Sequence, residues 1–399
     1  MNLEVSKGCG TPVGKLPMEI VERKGKGHPD FICDKASEEL SIKLSEYYVN
    51  TYGRVLHHNV DKCVLVGGQS NTRFGGGEVI EPIYLMLVGR AVGIIDEDRG
   101  NQVPIGKFAV KHTKEWLHND LRFLDVSSDI IVDYKIRCGS TDLVGNFDEN
   151  TGIARANDTS IGVAFAPMTE TEKIVYESEI LLNSKKTKKS HPAIGEDIKV
   201  MGVRRDNKIH LTVACAIIAS EVKNESEYED VKLGIKDLVL GLANEITDNE
   251  VLVSVNAADD PKKGIYYLTV TGTSAEHGDD GQVGRGNRTN GLITPYRPMT
   301  LEAAAGKNPL SHVGKTYNIA ARKIVDTLIL EEPDIEQASC YLVSEIGSKI
   351  TEPLGVNLEL YSNDNFSSTS KNVGAIVEDV LSQMPTIWKG FLKRKYELY

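Results

Sequence analysis

The residues with the clearest capacity for chemistry lie in the stretch GKGHPDFICD, from Gly25 to Asp34. A histidine, a proline and an aspartate stand together there, just where a helix is predicted to begin. Pro29 suits the first helical position, because its missing N–H costs nothing there and its φ is already helical. His28 is therefore predicted at the helix cap, with Asp30 and Asp34 one turn apart on a shared face. The helix itself is predicted from apolar residues that recur every fourth position: Ile32, Ala36, Leu40 and Leu44.

Two interpretations of these carboxylates stay open. In the first, Asp30 and Asp34 only complement the positive end of the helix dipole. In the second, Lys24, Lys26 and flexible glycine backbone approach a helix start whose free N–H groups bind phosphate. Carboxylates would oppose a bare anion there, unless a divalent cation lies between them and the phosphate oxygens. The second interpretation predicts a magnesium-bound polyphosphate as the ligand.

A glycine-rich stretch, GDDGQVGRGNRTNG from Gly278 to Gly291, is the second chemical feature. It lies between a predicted strand and a helix-prone segment, and long loops of this kind are usually functional. Glycines let backbone N–H groups approach a ligand, and arginine offers a planar fork that matches phosphate oxygens. A plain flexible loop would need neither Arg285 and Arg288 nor Asp279 beside them, so a binding function is favoured.

Three shorter patches combine small polar residues with carboxylates. Each alone is as often an ordinary turn as a binding site. They are CGSTD at Cys138–Asp142, ANDTSIG with Asp158, and GEDIK with Asp197 and Lys199.

Familiar nucleotide and nucleophile signatures are missing. The best near miss to a Walker loop, Gly314-Lys315-Thr316, has Pro309 where a glycine is needed, and the glycine-rich stretch lacks the spacing of a dinucleotide fingerprint. No Ser-His-Asp arrangement stands out, so the chemistry relies on cations and carboxylates without an activated protein nucleophile. Six scattered cysteines include no Cys-x-x-Cys pair, which disfavours zinc and favours a reducing cytoplasm.

Length and charge limit the class of protein further. The chain has 399 residues, a formal net charge of −11 and a pI of about 5.4. This acidic balance argues against nucleic acid as a partner, because a protein that binds nucleic acid needs a broad basic surface. It still allows a small phosphorylated ligand. No apolar run approaches the ~20 residues of a membrane span, and the N-terminus lacks a signal-peptide core, so no membrane association is expected.

Short β-branched runs alternate with longer helical stretches, which predicts an α+β fold. Three related strand-and-helix units are predicted, with approximate and interleaved subdomains at residues 1–128, 129–250 and 251–399. Cys63–Gly67 and Tyr84–Val88 are predicted as buried strands, and the run KKTKK at Lys185–Lys189 as a solvated loop. Val251–Val255 and Ile265–Val270 are predicted to form a hairpin.

Seven blocks together closely resemble one family, the archaeal-type S-adenosylmethionine synthetases, also called methionine adenosyltransferases. The resemblance runs from about Pro17 to Pro353 in consistent order, and several blocks are long and compositionally unusual. The blocks are VERKGKGHPDFICD, HHNVDK, FGGGEVIEPIY, ANDTSIGVAFAP, GEDIKVMG, TVTGTSAEHGDDGQVGRGNRTNGLITPYRP and EAAAGKNP.

This resemblance implies an activity and an assembly. In the family, ATP and L-methionine give S-adenosylmethionine, and the triphosphate is cleaved to pyrophosphate and phosphate before release. The implied fold is three related α+β subdomains in pseudo-three-fold arrangement, in homodimers that share active sites across the subunit interface. Mg²⁺ is required, and K⁺ commonly activates.

The resemblance also implies residue roles. His28 matches the histidine beside the polyphosphate chain, Asp30 a magnesium ligand, and Asp158 the aspartate near methionine and adenosine. Lys199, Arg285 and Lys307 match residues that contact phosphate, and Arg288 takes the place of a second cation. Asp197 matches a residue on the nucleoside side, and Asp279 matches a ligand-site carboxylate. The ATP-binding segment corresponds to Cys138, Gly139, Ser140, Thr141 and Asp142, where the usual Gln side chain is absent.

Two other functions fit the same pocket. A magnesium-dependent triphosphatase would turn over ATP without methionine, and a nucleotide sensor would bind ATP without turnover. The sensor is disfavoured, because it needs fewer charge-neutralising groups than His28, Lys199, Arg285 and Lys307 provide.

Overall fold

The computed structural model describes residues 2–96, 101–139, 153–362 and 372–399. Within these ranges, three sheets of four or five strands and two small two-stranded sheets form, with helices packed against the larger ones. The fold is α+β, as predicted from the sequence. The strands are β1 (Leu3–Lys7), β2 (Met18–Lys24), β3 (His58–Val66), β4 (Gln69–Arg73), β5 (Gly76–Glu81), β6 (Ile83–Ala91), β7 (Ile94–Asp96), β8 (Asn101–Gln102), β9 (Ile130–Arg137), β10 (Ile161–Ala166), β11 (Ile194–Arg205), β12 (Lys208–Ile218), β13 (Glu250–Val255), β14 (Leu268–Thr269), β15 (Gly281–Gln282), β16 (Ile335–Val343) and β17 (Gly355–Ser362).

The helices follow the amphipathic patterns of the sequence. A π-helical turn, Phe108–His112, joins the second helix to the third, and most helices bury one face in a core. The α-helices are α1 (Pro29–Tyr52), α2 (Ile105–Lys107), α3 (Thr113–Asp120), α4 (Glu170–Leu182), α5 (Lys185–Ser190), α6 (Glu225–Ile246), α7 (Val313–Glu331), α8 (Val373–Ser382) and α9 (Met384–Leu392).

The first sheet has the strand order β15-β3-β6-β9 and is covered by α1. The predicted stripe of α1 is confirmed, since Ile32, Ala36, Leu40 and Leu44 are all fully buried in this core. Burial of each large aliphatic side chain contributes roughly 1.5–3 kcal/mol, so the stripe fixes α1 firmly on the sheet. The start of α1 is thereby held beside the short strand β15, which belongs to the glycine-rich stretch.

The second and third sheets combine strands from distant parts of the chain. One has the order β13-β12-β11-β2 and packs against α4 and α6, and the other has the order β1-β17-β16-β10 and packs against α7. Because β2 ends at Lys24, four residues before His28, and β11 contains Asp197, the second sheet joins two of the predicted site segments. Whether the three sheets correspond to the subdomains at 1–128, 129–250 and 251–399 stays a prediction.

Three local predictions are wrong. The segments Val251–Val255 and Ile265–Val270 form no hairpin, because β13 and β14 both pair with β12 in parallel. Lys185–Lys189 belongs to helix α5, where Ser184 caps the first turn and Lys188 is buried. Cys63–Gly67 and Tyr84–Val88, predicted as buried strands, fall largely in β3 and β6, where only alternate side chains are buried and the other face is partly open.

A membrane-spanning helix, long and apolar enough to cross a bilayer, does not occur among the residues that the structure describes.

Candidate functional site

The start of α1 has the cap that the sequence predicts. His28 is the N-cap, Pro29 occupies the first turn, and the His28 Nδ1 accepts a hydrogen bond from the Asp30 N–H at 3.1 Å. Because Nδ1 accepts this bond, the neutral imidazole carries its proton on Nε2. His28 can therefore present an N–H donor to a ligand while its other nitrogen satisfies the helix.

The glycine-rich stretch lies along α1 and is held by two carboxylates. Asp30 Oδ1 accepts from the Gln282 N–H, and Asp34 Oδ1 accepts from the Gly284 N–H, both at 2.9 Å. Asp30 and Asp34 are four helical residues apart, a rise of about 6 Å, and Gln282 and Gly284 are two extended residues apart, a rise of about 6.6 Å. The two carboxylates and the two N–H groups are therefore spaced alike. The two aspartates thus fix the glycine-rich stretch in register with the helix.

Lys24 joins the same cluster from the end of β2. Its Nζ donates to Asp30 Oδ2 at 2.8 Å and to the Arg285 carbonyl at 2.9 Å. The Arg285 side chain is exposed and makes no hydrogen bond or ion pair with the residues that the structure describes. The backbone of Arg285 is therefore fixed while its guanidinium is available to a ligand.

Arg288 has a different position from Arg285. Its Nη2 donates to the carbonyls of Gly284 and Gly286, so the side chain is folded back on the glycine-rich stretch. Burial lowers the pKa of Arg288, although Asp34 and Asp30 oppose this effect. The structure thus gives Arg288 a role in shaping the stretch that presents Arg285.

Asp34 is an almost completely buried carboxylate of the cluster. Burial raises its pKa to about 7, although its hydrogen bond from Gly284 and the charge of Arg288 lower it. Its Oδ2 is buried and has no hydrogen-bond partner among the residues that the structure describes. The sequence showed Asp34 beside Asp30, but no local signal indicated that it binds a segment 250 residues away.

Asp197 lies against the segment that leads into α1. A Cβ added to Gly27 would lie 2.3 Å from the Asp197 nitrogen, so only glycine permits this approach. Asp197 Oδ2 accepts from the Ser274 N–H at 2.8 Å and from the Tyr267 hydroxyl at 3.3 Å. Ser274 in turn donates its hydroxyl to Asp279 Oδ2 at 2.9 Å. Asp197 and Asp279 are therefore joined through one serine.

Lys199 stands beside Lys24 on the neighbouring strand. The two residues are direct partners in the register of β11 and β2, which puts two cations next to each other. The Lys199 Nζ lies 3.3 Å from Glu22 Oε1 and its side chain is 39% exposed. The structure thus brings His28, Asp30, Asp197, Lys199, Asp279 and Arg285 to one region around the start of α1.

A second cluster surrounds Lys307. Its ammonium lies 2.8 Å from Asp61 Oδ2 and 2.6 Å from Glu302 Oε1. Burial lowers the pKa of Lys307, but the carboxylates of Asp61 and Glu302 outweigh it, so the pKa is raised above its usual value. Lys307 is therefore a firmly charged cation, and Asp61 and Glu302 are partners that the sequence did not single out.

Asp158 belongs to this second cluster through His312. The His312 Nε2 lies 3.8 Å from Asp158 Oδ2, and its Nδ1 accepts from the Gly314 N–H as the cap of α7. Ligand atoms of Asp158, Glu302 and His312 all lie within 4.8 Å of one another. A metal fits this group poorly, because Nε2 carries the proton when Nδ1 accepts and Lys307 already contacts Glu302.

The two clusters are separated along α1 within one chain. The Gly306 N–H donates to Glu38 Oε2, and Ser41 Oγ donates to the Lys307 carbonyl. From His28 to Glu38, α1 rises about 15 Å. Lys307 and Asp158 therefore lie well away from His28 in the same chain.

The predicted ATP-binding segment falls partly outside the described residues. Cys138 and Gly139 follow β9, and Arg90 donates to the Cys138 carbonyl at 3.3 Å. Ser140, Thr141 and Asp142 lie outside the described ranges, so their predicted contacts stay predictions.

A divalent cation fits the first cluster at Asp30. Each oxygen of this carboxylate accepts one hydrogen bond, Oδ1 from Gln282 and Oδ2 from Lys24. A carboxylate oxygen has about two lone-pair sites, so Asp30 retains capacity for a cation. Mg²⁺ is bound in proteins by one or two carboxylates together with phosphate oxygens and water, which matches this donor set.

The fold is α+β, and cations and carboxylates surround the start of α1. These features are typical of an enzyme that binds phosphate and transfers a group. Comparison with known proteins identifies the family. The chain belongs to the S-adenosylmethionine synthetase (AdoMet synthetase) family, whose model matches residues 1–395.

Relatives of similar length support this assignment. The chain is similar to a probable S-adenosylmethionine synthase of Aquifex aeolicus, with 48% identity over 398 residues and 99% of each chain covered. It is equally similar to the S-adenosylmethionine synthase of Pyrobaculum neutrophilum, with 48% identity over 399 residues and 99% of each chain covered. An S-adenosylmethionine synthase of Saccharolobus islandicus is 46% identical over 402 residues, covering all of both chains.

A solved structure supports the fold. The chain resembles an unusual S-adenosylmethionine synthetase from Campylobacter jejuni with a TM-score of 0.59, over 96% of this chain and 90% of the other. The identity is 15%, so this likeness concerns the fold alone. The predicted activity, formation of S-adenosylmethionine from ATP and methionine, is confirmed by the family and by the relatives that share nearly half of the sequence.

Proposed function

We propose that the chain transfers the adenosyl group of ATP to methionine at the start of α1, with His28, Lys199, Arg285 and Lys307 as the groups that contact phosphate. The observation that carries this proposal is the attachment of the glycine-rich stretch to α1 through Asp30 and Asp34. It gathers a histidine donor, an available arginine and paired lysines from four separate segments. Such a group has the charge needed to hold a polyphosphate.

The reaction needs charge stabilisation more than it needs a base. Methionine sulfur is a neutral thioether with a lone pair, so it attacks the 5′ carbon of ATP without losing a proton. The C–O bond to the triphosphate breaks as the C–S bond forms, and the leaving oxygen gains negative charge. Fixed donors and cations directed at that oxygen lower the barrier, and in-line alignment contributes the rest. Pyrophosphate and phosphate then form by hydrolysis of the triphosphate.

The residues divide between the two ends of ATP in this proposal. The His28 Nε2–H and the guanidinium of Arg285 contact the triphosphate, and the neighbouring ammonium of Lys199 adds positive charge. Asp197 and Asp279 lie on the nucleoside side, where Ser274 joins them. Asp158 faces the methionine and adenosine, and Cys138 and Gly139 with Ser140, Thr141 and Asp142 line the ATP.

Mg²⁺ is the proposed metal, held by Asp30. When bound, it neutralises phosphate charge and raises the leaving-group ability of the triphosphate. Asp30 would then have three partners, the ion on a spare lone pair, the Gln282 N–H on Oδ1 and the Lys24 ammonium on Oδ2. K⁺ activation is proposed from the family resemblance.

A homodimer with shared sites accounts for the separation of the two clusters. Val66, Tyr84 and Ile131 are opposite one another on β3, β6 and β9, on the face that α1 does not cover. Val66 and Ile131 are each 49% exposed, so this face presents aliphatic side chains to solvent. A second copy on this face would bring its Lys307 and Asp158 towards the first copy's His28.

A cytoplasmic location is proposed with ATP and L-methionine as the only partners besides the second subunit. All six cysteines are unpaired thiols, which supports a reducing compartment. The net charge of −11 supports the expectation that nucleic acid is not a partner.

The experiment is a mass-spectrometric assay of purified chain with ATP, methionine and Mg²⁺. The expected products are S-adenosylmethionine, pyrophosphate and phosphate in equal amounts, with no turnover when methionine is left out. Phosphate release at the same rate with and without methionine would instead identify a triphosphatase.

A further inference from the structure

Strand β11 contains an irregularity next to Asp197. It pairs with β12 at Ile194 with Ile217 and again at Ile198 with Cys215. Between these pairs β11 advances by four residues and β12 by two, so β11 contains a two-residue bulge. Asp197 lies in this bulge, and bulges redirect side chains near functional sites.

Lys188 of helix α5 holds one side of the bulge. Its Nζ donates to the carbonyls of Ile194 at 3.2 Å and Gly195 at 2.5 Å. Its side chain is almost completely buried, and burial lowers its pKa to about 8 although Glu196 opposes this effect. Burial of an ammonium group is costly unless it satisfies other groups, here two carbonyls that the bulge has displaced from regular pairing.

Arg122 also holds the bulge, and it shares the Ile194 carbonyl with Lys188. Its guanidinium donates to Glu196 Oε1 at 2.5 Å and to the Ile194 carbonyl at 2.6 Å. The Glu196 carbonyl, turned the other way, accepts from the Gly27 N–H at 3.0 Å and from Asn183 at 3.1 Å. The bulge therefore also fixes the residue that precedes His28 in the chain.

The bulge determines the position of Asp197. The Asp197 N–H donates to the Gly272 carbonyl at 2.9 Å instead of to β12. This turns the carboxylate towards Ser274 and Tyr267, the two residues from which it accepts hydrogen bonds. Because side chains alternate every two residues, the two extra residues keep Asp197 on the same face of β11 but displace its backbone from regular pairing with β12.

We propose that Lys188 is a positioning residue for adenosyl transfer, which holds the bulge of β11 so that Asp197 faces the nucleoside of ATP. Lys188 contacts no substrate and acts only through the backbone of Ile194 and Gly195. The inference rests on the proposed role of Asp197 in the site. It gives a function to the lysine run of α5, which the proposed mechanism does not otherwise use.

The experiment compares three variants of the full chain. Lys188→Met removes the donors and keeps an unbranched side chain, and Lys188→Gln keeps one amide donor in case the methionine variant folds poorly. Lys189→Met is the matched control, since Lys189 is the exposed neighbour on the same short helix. Steady-state rates are measured against ATP at saturating methionine and against methionine at saturating ATP, with thermal unfolding of every variant.

We expect a selective loss on the ATP side. Misplacement of a contact by about 1 Å costs about 10²-fold in rate, so kcat/KM for ATP should fall by about 10²-fold in Lys188→Met. It should fall by less in Lys188→Gln, and the KM for methionine should stay within about twofold in both. Lys189→Met should match the wild type. An equal rise in KM for both substrates, or a lower unfolding temperature with unchanged kcat/KM for ATP, would overturn the proposal.

A double-mutant cycle with Asp197→Asn separates this inference from the proposed function. If Lys188 acts through Asp197, the double variant Lys188→Met/Asp197→Asn should be no slower than Asp197→Asn alone. If the loss of rate in the double variant instead equals the product of the two single losses, Lys188 acts independently of Asp197. A wild-type chain that forms no S-adenosylmethionine would contradict the proposed function itself, whereas an active wild type with an unimpaired Lys188→Met would contradict only the positioning role.

Discussion

The imidazole of His28 carries out two separate roles in the proposed site, one for each nitrogen. Nδ1 caps α1 by accepting from the Asp30 N–H, and Nε2 is the donor proposed for the triphosphate. His28→Ala removes both, so we expect kcat to fall by about 10²–10³-fold, as for a lost donor to a developing oxyanion. The lost cap should also lower the free energy of unfolding by about 1 kcal/mol.

His28→Asn separates the two roles of His28. Asparagine is among the best N-cap residues, so this variant should recover the free energy of unfolding but not kcat. Denaturant unfolding and the rate of S-adenosylmethionine formation measure the two quantities on the same samples. An alanine variant that keeps the wild-type kcat would remove His28 from the mechanism.

Asp34 should make the stability of the chain depend on pH. Burial raises its folded-state pKa from 3.8 to about 7, so the folded chain binds more protons than the unfolded chain between about pH 4 and pH 7. Its contribution is therefore most favourable below pH 4 and is lost as pH rises through 7. The effect is on the order of a few kcal/mol, at 1.36 kcal/mol for each pKa unit.

Asp34→Asn tests this dependence because it cannot ionise and keeps an oxygen for the Gly284 N–H. The free energy of unfolding, relative to wild type, should be higher at pH 8 than at pH 5. Asp237→Asn, on the exposed face of α6, is the control and should follow the wild type at both pH values. A constant difference between Asp34→Asn and wild type would show that Asp34 is ionised throughout.

The match between α1 and the glycine-rich stretch is the feature at the scale of elements that positions the site. Gly281 approaches α1 so closely that a Cβ would lie 2.3 Å from the Pro29 carbonyl carbon. Gly281→Ala must therefore move the stretch off the helix, and Arg285 with it. We expect kcat/KM for ATP to fall by at least about 10²-fold, the scale of a 1 Å displacement.

Equilibrium binding of ATP and steady-state rates would measure the effect of Gly281→Ala. Gly241→Ala is a suitable control, because Gly241 lies within α6 and a Cβ there meets nothing within 4 Å. That variant should keep full activity and gain roughly 0.5–1 kcal/mol of stability from better helix propensity. Full ATP affinity in Gly281→Ala would mean that the stretch binds no nucleotide.

Local patterns were sufficient for some elements and insufficient for others. The cap at His28 and the buried stripe of α1 could be predicted because both depend on residues within a few turns. The predicted hairpin after Val251 was wrong because β13 and β14 each pair with β12, and the residues of the turn between them do not reveal a partner strand from elsewhere in the chain. The prediction of a solvated loop at the lysine run of α5 was wrong because Lys188 is buried against its partners in the bulge of β11.

The same distinction applies to the candidate site. Histidine, arginine and lysine could be singled out by residue type, and Asp34 by its position one turn from Asp30, whereas Asp61 could not. Their partners, Gly284 and Lys307, lie about 250 residues away in the chain. Only the fold shows that these carboxylates orient the cations of the site.

At the scale of the whole molecule, the two clusters belong to one site only if a second copy supplies part of it. The exposed apolar row Val66, Tyr84 and Ile131 offers the surface for such a copy. Closed two-fold dimers are the commonest assemblies of identical chains, and they place each residue of one chain opposite a different residue of its partner. A two-fold dimer would therefore contain two equivalent shared sites.

Mixing two inactive variants tests whether the site is shared. Suppose that each site is built from His28 of one chain and Lys307 of the other. A heterodimer of a His28→Ala chain with a Lys307→Ala chain then has one site with both substitutions and one site with neither. Random exchange makes half of the dimers heterodimers, so about one quarter of all sites should regain activity. Adding Val66→Asp to the His28→Ala chain should weaken association through the apolar row and prevent the recovery. If each site were contained within one chain, every site in the mixture would carry one defect, and the activity would stay at the level of the separate variants.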